Sequence, residues 1–308
     1  MEFIKGDFMK ERISGLKRNF FKHFIIYPIE GIAVGLILLI FMILPLRAAE
    51  KAGACLGAFV GLVARRRNRI ALFNLQIAFP EKTEKERKKI LHEMWRHFGS
   101  LIADLPHNRQ VLQNATLKGL EYLRMAYATG KGGFVCSAHI GNWELSITKQ
   151  VAPGFVMNPV YRPANNWFLD KLLFARRKGV KIPKGRTGAR LMIETLKQGK
   201  FISILCDQKF REGIDVPLFG MPAQTPTAMA TLSLKMNVPI IMVKAIKQQD
   251  GHYLLTAYPP LDMPIGLPRQ QAEFQIMTMV NHIYETWIRE NPEQWLWVHR
   301  RFDKHLYK

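Results

Sequence analysis

The sequence predicts an α/β domain with a mostly parallel central sheet flanked by helices, carried on an N-terminal membrane-anchoring helix. Three observations support this. From about residue 117, short apolar runs of strand length alternate with helical stretches. Crossover helices between strands favour a parallel sheet. Ahead of them lies one apolar stretch, 24–46, interrupted only by Glu30. At about 1.5 Å rise per residue it reaches across a bilayer core of about 30 Å. Finally, hydrophobic residues make up 48% of the 308 positions and charged residues 22%. That composition excludes a disordered chain and supplies a sizeable core.

Residues 1–23 form a basic segment with Lys5, Lys10, Arg12, Lys17, Arg18 and Lys22. The anchor, 24–46, is too long for a signal-peptide core, and no small-residue cleavage site follows it. Residues 47–116 read as a helical interfacial segment. Its apolar part, 52–64, is too short to span and is expected to lie at the interface or pack on the domain. Arg65, Arg66, Arg67 and Arg69 end it. Basic residues on both flanks leave one crossing and a re-entrant anchor equally open. Thr83 and Glu86 have capping-box spacing, and Ile90, Leu91, Met94, Trp95, Phe98, Leu101 and Ile102 follow at helical period. Residues 117–308 form the α/β domain. Strands are predicted at 133–137, 155–161, 201–206, 239–246 and 253–258. Helices are predicted near 142–151, 164–177, 187–199 and 225–236. A closing helix near 269–290 is expected to turn Phe274, Met277, Ile283, Trp287 and Ile288 inward.

The formal charge of +21 must face something negative: nucleic acid, anionic lipid or an acidic protein. The basic residues carry neither an aromatic-interleaved sheet motif nor a zinc pattern, and they follow an anchor, so no nucleic-acid partner is expected. Cys55, Cys136 and Cys206 are too few and too scattered for a disulfide framework or a metal site. They read as buried free thiols in a reducing compartment. No P-loop, dinucleotide fingerprint or HExxH is present, and neither a cofactor nor a metal is expected.

The segment richest in chemistry is 134–144, FVCSAHIGNWE. An apolar strand ends and His139, Gly141, Asn142 and Glu144 follow at once. Ligands of open α/β sheets bind beyond the carboxyl ends of the strands. His139 and Glu144 are about 140° apart on an ideal helix and cannot share one face. They converge if His139 sits on a turn, Glu144 on the first helical turn, and Gly141 supplies the bend. The carboxylate then fixes one imidazole nitrogen and leaves the other as a base. A histidine that only caps or packs is the competing reading.

The run His139-Ile-Gly-Asn-Trp-Glu144 resembles the His-x4-Asp/Glu motif of glycerolipid acyltransferases, and in particular the bacterial lipid A biosynthesis acyltransferases. Arg69 with Asn74-Leu75 and Phe79-Pro80-Glu81 is similar to the segment that precedes that motif. Tyr161-Arg162-Pro163 with Asn165-Asn166, Asp207-Gln208, Pro217-Leu218-Phe219-Gly220 and Asn237-Val238-Pro239-Ile240 are similar to successive later blocks. The stretch 292–302, PEQWLWVHRRF, resembles the C-terminal signature. Together the blocks run from about 24 to 302 in the family's order. One departure is Cys206, where relatives commonly carry proline.

The resemblance implies a glycerolipid-acyltransferase-like fold and transfer of an acyl chain from acyl carrier protein, or coenzyme A, to a hydroxyl of a lipid A precursor at the bacterial inner membrane. The catalytic domain would face the cytoplasm. His139 is then the general base and Glu144 its orienting partner, with no acyl-enzyme and so no nucleophilic Ser or Cys. Arg162 is expected to anchor a phosphate or the developing oxyanion. Asn142, Asp207 and Gly220 are further candidate substrate-binding residues, with Asp207 positioning the acceptor or pairing with a cation and Gly220 serving a turn. Residues 162–190 hold nine Lys/Arg against Asp170. This stretch, including Arg176, Arg177 and Lys178, reads as a landing surface for phosphorylated lipid, anionic membrane lipids or acidic carrier protein. Other lysophospholipid or mannoside acyltransferases share the central motif. A non-catalytic membrane scaffold would make His139 dispensable.

Overall fold

The computed structural model describes residues 22–148, 155–161, 166–174 and 179–307. Most of the basic segment 1–23 lies outside them, as do Arg162, Arg176, Arg177 and Lys178.

A short π-helical turn, Lys22–Ile26, leads into α1, Tyr27–Ile43. Pro28 sits in its first turn, where a missing N–H costs nothing. The stretch His23–Ile43 is long and apolar enough to cross a membrane and is almost wholly unburied. Pro45 ends the expected anchor, and α2, Leu46–Val63, starts directly after it. This helix begins earlier than predicted because Arg47, Glu50 and Lys51 hide its apolar period. Glu50 is buried and meets Lys247 at 2.9 Å.

One face of α2 packs on α4, Glu84–Asp104, through glycine. A Cβ at Gly57 would overlap the carbonyl of Trp95, and one at Gly99 the carbonyl of Gly53. The other face exposes Leu56, Phe59, Val60, Leu62 and Val63. The packing expected of this segment is thus seen on one side of the helix, and the other side leaves its apolar residues exposed. Between them, α3, Arg65–Ala78, begins with the arginine run. Thr83 and Glu86 form the capping box of α4.

A short α5, Asn108–Asn114, leads to β1, Thr116–Lys118, and α6, Leu120–Ala128. The α/β unit then runs β2 Gly133–Ser137, α7 Trp143–Thr148, β3 Met157–Tyr161, α8 Trp167–Phe174, β4 Ile182–Pro183, α9 Arg186–Lys197 and β5 Phe201–Leu205. A hairpin, β6 Ile214–Leu218 and β7 Met221–Thr225, interrupts it. Then come α10 Ala228–Met236, β8 Ile240–Lys247, β9 Tyr253–Pro260 and α11 Arg269–Glu290. The seven-stranded sheet has the order β1-β9-β8-β2-β5-β3-β4. All its pairs are parallel except β8 with β9.

Buried strands β2 and β5 carry core on both faces, as central parallel strands do. On α11, Met277, Trp287 and Ile288 are buried as expected and Ile283 half-buried, but Phe274 is 44% exposed. Ile276, Val280 and Tyr284 fill the inward stripe. Phe274 lies two positions from Ile276, about 200° around the helix, and so faces away. Cys136 and Cys206 are buried free thiols, whereas Cys55 is exposed on α2.

Candidate active site

Parallel pairing builds the site. In the β2–β5 ladder Ser137 stands opposite Leu205. Two residues beyond each strand end, His139 and Asp207 are therefore also opposite. Asp207 Oδ1 lies 2.8 Å from His139 Nδ1, and Oδ2 accepts the His139 backbone N–H at 2.8 Å. Trp295 Nε1–H donates to the same Oδ2 at 2.8 Å. The hydrogen bond that proximity in sequence gave to Glu144 is made at Nδ1 by Asp207 across the ladder. Glu144 is half-buried on the first turn of α7.

Asp207 is 2% exposed, and its carboxylate is bonded to His139 and Trp295. Burial alone would raise its pKa. The charge on His139, the two hydrogen bonds from that residue and the one from Trp295 outweigh burial and hold it at about 2. An ionised carboxylate on Nδ1 fixes the proton there and leaves Nε2 as an acceptor. Gln208 offers its amide nitrogen to Nε2 at 3.2 Å. The His139 side chain keeps 20% exposure, enough for one face to meet a ligand.

The turn after β2 is clamped group by group. Leu296 N–H donates to His139 O, Gly141 N–H to Gln294 O, and Asn142 N–H to Ala245 O. His97 of α4 lies near the Gly141 carbonyl, which favours its protonated form. Gly141 itself has φ of 56°, the bend that the sequence required of it. The Asn142 side chain is 2% exposed, and its Oδ1 has no hydrogen-bond partner among the described residues. Tyr253 donates to Asp104 at 2.7 Å.

Gly220 has φ of 73° and follows Phe219, at 50°, in the two-residue loop of the β6–β7 hairpin. Those signs are what a tight hairpin loop needs, and the loop is tied to α11 by Phe219 N–H donating to Glu285 at 2.5 Å. Residues that sequence reasoning did not single out for the site are Trp295, Gln208, His97 and His299. The His299 ring centroid lies 6.2 Å from that of His139, and Trp143 lies 5.3 Å away on another side. Trp295 and His299 do fall in the C-terminal block, and Gln208 follows Asp207, which was the available signal.

His97 carries a measurable consequence. Its Nε2 is shielded from solvent without a hydrogen-bond partner among the described residues. Burial lowers its pKa to about 4, with Lys247 adding to the effect against the Gly141 carbonyl. Below the unfolded value near 6.5, the unfolded chain binds a proton that the folded one refuses. Stability from this group is therefore full above about pH 6.5 and is lost as pH falls towards 4, by up to about 3 kcal/mol. Melting temperatures at pH 7.5 and 4.5 test this. The drop should be smaller in His97→Gln, and equal drops would acquit His97.

The family model for bacterial lipid A biosynthesis acyltransferases matches residues 19–304. Among curated relatives, the lipid A biosynthesis lauroyltransferase of Escherichia coli is 27% identical over 288 residues, covering 90% of this chain and 92% of that one. The lipid A biosynthesis palmitoleoyltransferase of the same organism is 29% identical, covering 80% of this chain and 83% of that one. A lipid A biosynthesis acyltransferase of Haemophilus influenzae is 25% identical, with 87% and 86% covered. The match takes in every segment of the site, from α3 to His299, and the chain belongs to the bacterial lipid A biosynthesis acyltransferases.

Proposed function

We propose that this acyltransferase moves a fatty acyl chain from a thioester donor, acyl carrier protein or coenzyme A, to a hydroxyl of a lipid A precursor. The observation that carries the mechanism is the ionised Asp207 on His139 Nδ1, with Nε2 left to accept. The acceptor hydroxyl gives its proton to Nε2 as its oxygen attacks the thioester carbonyl. The tetrahedral adduct collapses, the C–S bond breaks, and the imidazolium returns the proton to the departing thiolate. Asp207 stabilises the imidazolium in between. Glu144 is the second carboxylate of the site, on the strength of its spacing from His139. Arg162, directly after β3 in sequence, is assigned to the oxyanion or a phosphate. Arg176, Arg177 and Lys178 are assigned to steering an acidic carrier or anionic lipid.

The same reading puts the protein at the cytoplasmic face of a bacterial inner membrane. Its support is α1 together with the exposed apolar side of α2, after which Arg65 and Arg66 open α3. Apolar area next to cations suits a bilayer interface.

The deciding experiment incubates the purified full-length protein with acyl carrier protein or coenzyme A thioesters and a lipid A precursor, and follows acceptor mass. The expected product gains one acyl chain. Transfer only to a lysophospholipid or mannoside acceptor would overturn the assigned substrate, and no transfer to any acceptor would overturn the mechanism.

A further inference from the structure

Positive charge converges on His139 from parts of the chain far apart in sequence. Lys184 follows β4, whose end is level with the ends of β3 and β5 by strand register, so it stands at the same sheet edge as His139 and Asp207. Arg67 comes from α3. Of the arginine run, it alone reaches the C-terminal segment among the described hydrogen bonds, with Nη1 3.4 Å from Val298 O. The next residue is His299, whose ring lies beside His139. The imidazole of His299 makes no hydrogen bond among the described residues, and neither of its nitrogens is fully shielded from solvent.

The charged side chains that bear most on His299 are the cations Arg67 and Lys184 and one carboxylate, Asp207. Asp207 is buried and already committed to His139 and Trp295. Burial first, and then these cations, push the pKa of His299 down to about 4. Like charges gathered at one edge repel, and the fold gains nothing from gathering them there. A dianion resolves the conflict: guanidinium and ammonium groups are donors matched to phosphate oxygens, and a neutral imidazole adds another N–H.

We infer that Arg67, Lys184 and His299 form a subsite for a phosphate group of the acceptor lipid, held beside the hydroxyl that His139 deprotonates. The inference rests on the proposed lipid acceptor. The phosphodiester of a carrier-bound donor is the other source of the same chemistry. It sits at the far end of a long arm from the thioester, whereas the His299 ring lies beside His139 itself and Arg67 bonds the residue before His299.

The test uses purified full-length protein in detergent with two acceptors, the phosphorylated lipid and the same lipid after phosphatase treatment, and inorganic pyrophosphate as a probe. In Arg67→Gln/Lys184→Gln, KM for the phosphorylated acceptor should rise about tenfold or more, as expected for lost charge-assisted hydrogen bonds. The variant's kcat should stay within a few-fold, and KM for the donor and for the dephosphorylated acceptor should not move. Pyrophosphate should compete with the phosphorylated acceptor in the wild type beyond a sodium chloride control of equal ionic strength, and should raise the pKa of His299 seen by NMR. A rise in donor KM alone would overturn the acceptor assignment and give the subsite to the donor's phosphodiester. Unchanged KM values, or a double variant that cannot be folded together with no pyrophosphate competition in the wild type, would overturn the subsite. A wild type that acylates neither lipid would instead sink the proposed function, while the His299 titration with pyrophosphate still reports on the subsite.

Discussion

Asp207→Asn is expected to lower kcat nearly as far as His139→Ala does, with folding and acceptor KM little changed. General-base assistance is worth about 10²–10⁴-fold, and the wrong histidine tautomer alone costs about 10⁴-fold in a Ser-His-Asp enzyme. The asparagine keeps an oxygen for the His139 and Trp295 N–H groups that Asp207 Oδ2 now accepts. Its NH₂ then faces Nδ1, which drives the ring proton to Nε2 and blocks the base. The two losses should not add in the double variant, because both act through one proton transfer. The pH profile gives a second reading. Asp207 stays ionised down to about pH 2, so the loss of kcat in Asp207→Asn should persist at every pH at which the folded enzyme turns over. Wild-type kcat in that variant would show that Asp207 has no part in orienting the base. Glu144→Ala belongs in the same series. A loss equal to that of His139→Ala would give Glu144 a share of the chemistry, and wild-type kcat would leave orientation to Asp207.

What the sequence made legible, and what it hid, follows from the range of the interactions. Strands β2, β3, β5, β8 and β9 announce themselves as apolar runs, and each was predicted within a few residues of its bounds. β1 and β4 have three and two residues, too few for any periodicity to show. β6 and β7 are masked by Pro217 and Pro222, which pair with each other on a small two-stranded ribbon outside the main sheet. His139 was legible because its signal is local: a strand, a glycine and a nearby carboxylate. Its carboxylate partner was not, because Asp207 is 68 residues away and only the β2–β5 register brings it opposite. Sequence proximity favoured Glu144 for the same reason. Trp295 and His299 arrive from still further along the chain, and nothing in their spacing marks them as neighbours of His139.

Two glycine substitutions separate a bend that aims the base from a bend that merely closes a hairpin. Gly141→Ala should lower kcat by about 10²-fold or more, the scale of an ångström-sized misplacement of a reacting group. At φ of 56° an L side chain is already strained, and an added Cβ would overlap the carbonyl oxygen of Ala245. The turn cannot tilt away, because Gly141 N–H is held by Gln294 O at 2.9 Å and Asn142 N–H by Ala245 O at 2.8 Å. Relief must therefore pass into His139, two residues back, whose carbonyl is tied to Leu296. Gly220→Ala is the matched control. Its φ of 73° is equally unfavourable for alanine, but nothing lies within 4 Å of the new Cβ. That variant should lose about 1 kcal/mol of stability and keep wild-type kcat. Loss of turnover in Gly220→Ala with its melting temperature nearly intact would instead put the hairpin loop in contact with substrate. Wild-type turnover in Gly141→Ala would show that the base tolerates a displaced turn, and the clamp around residues 139–142 would then be structural alone.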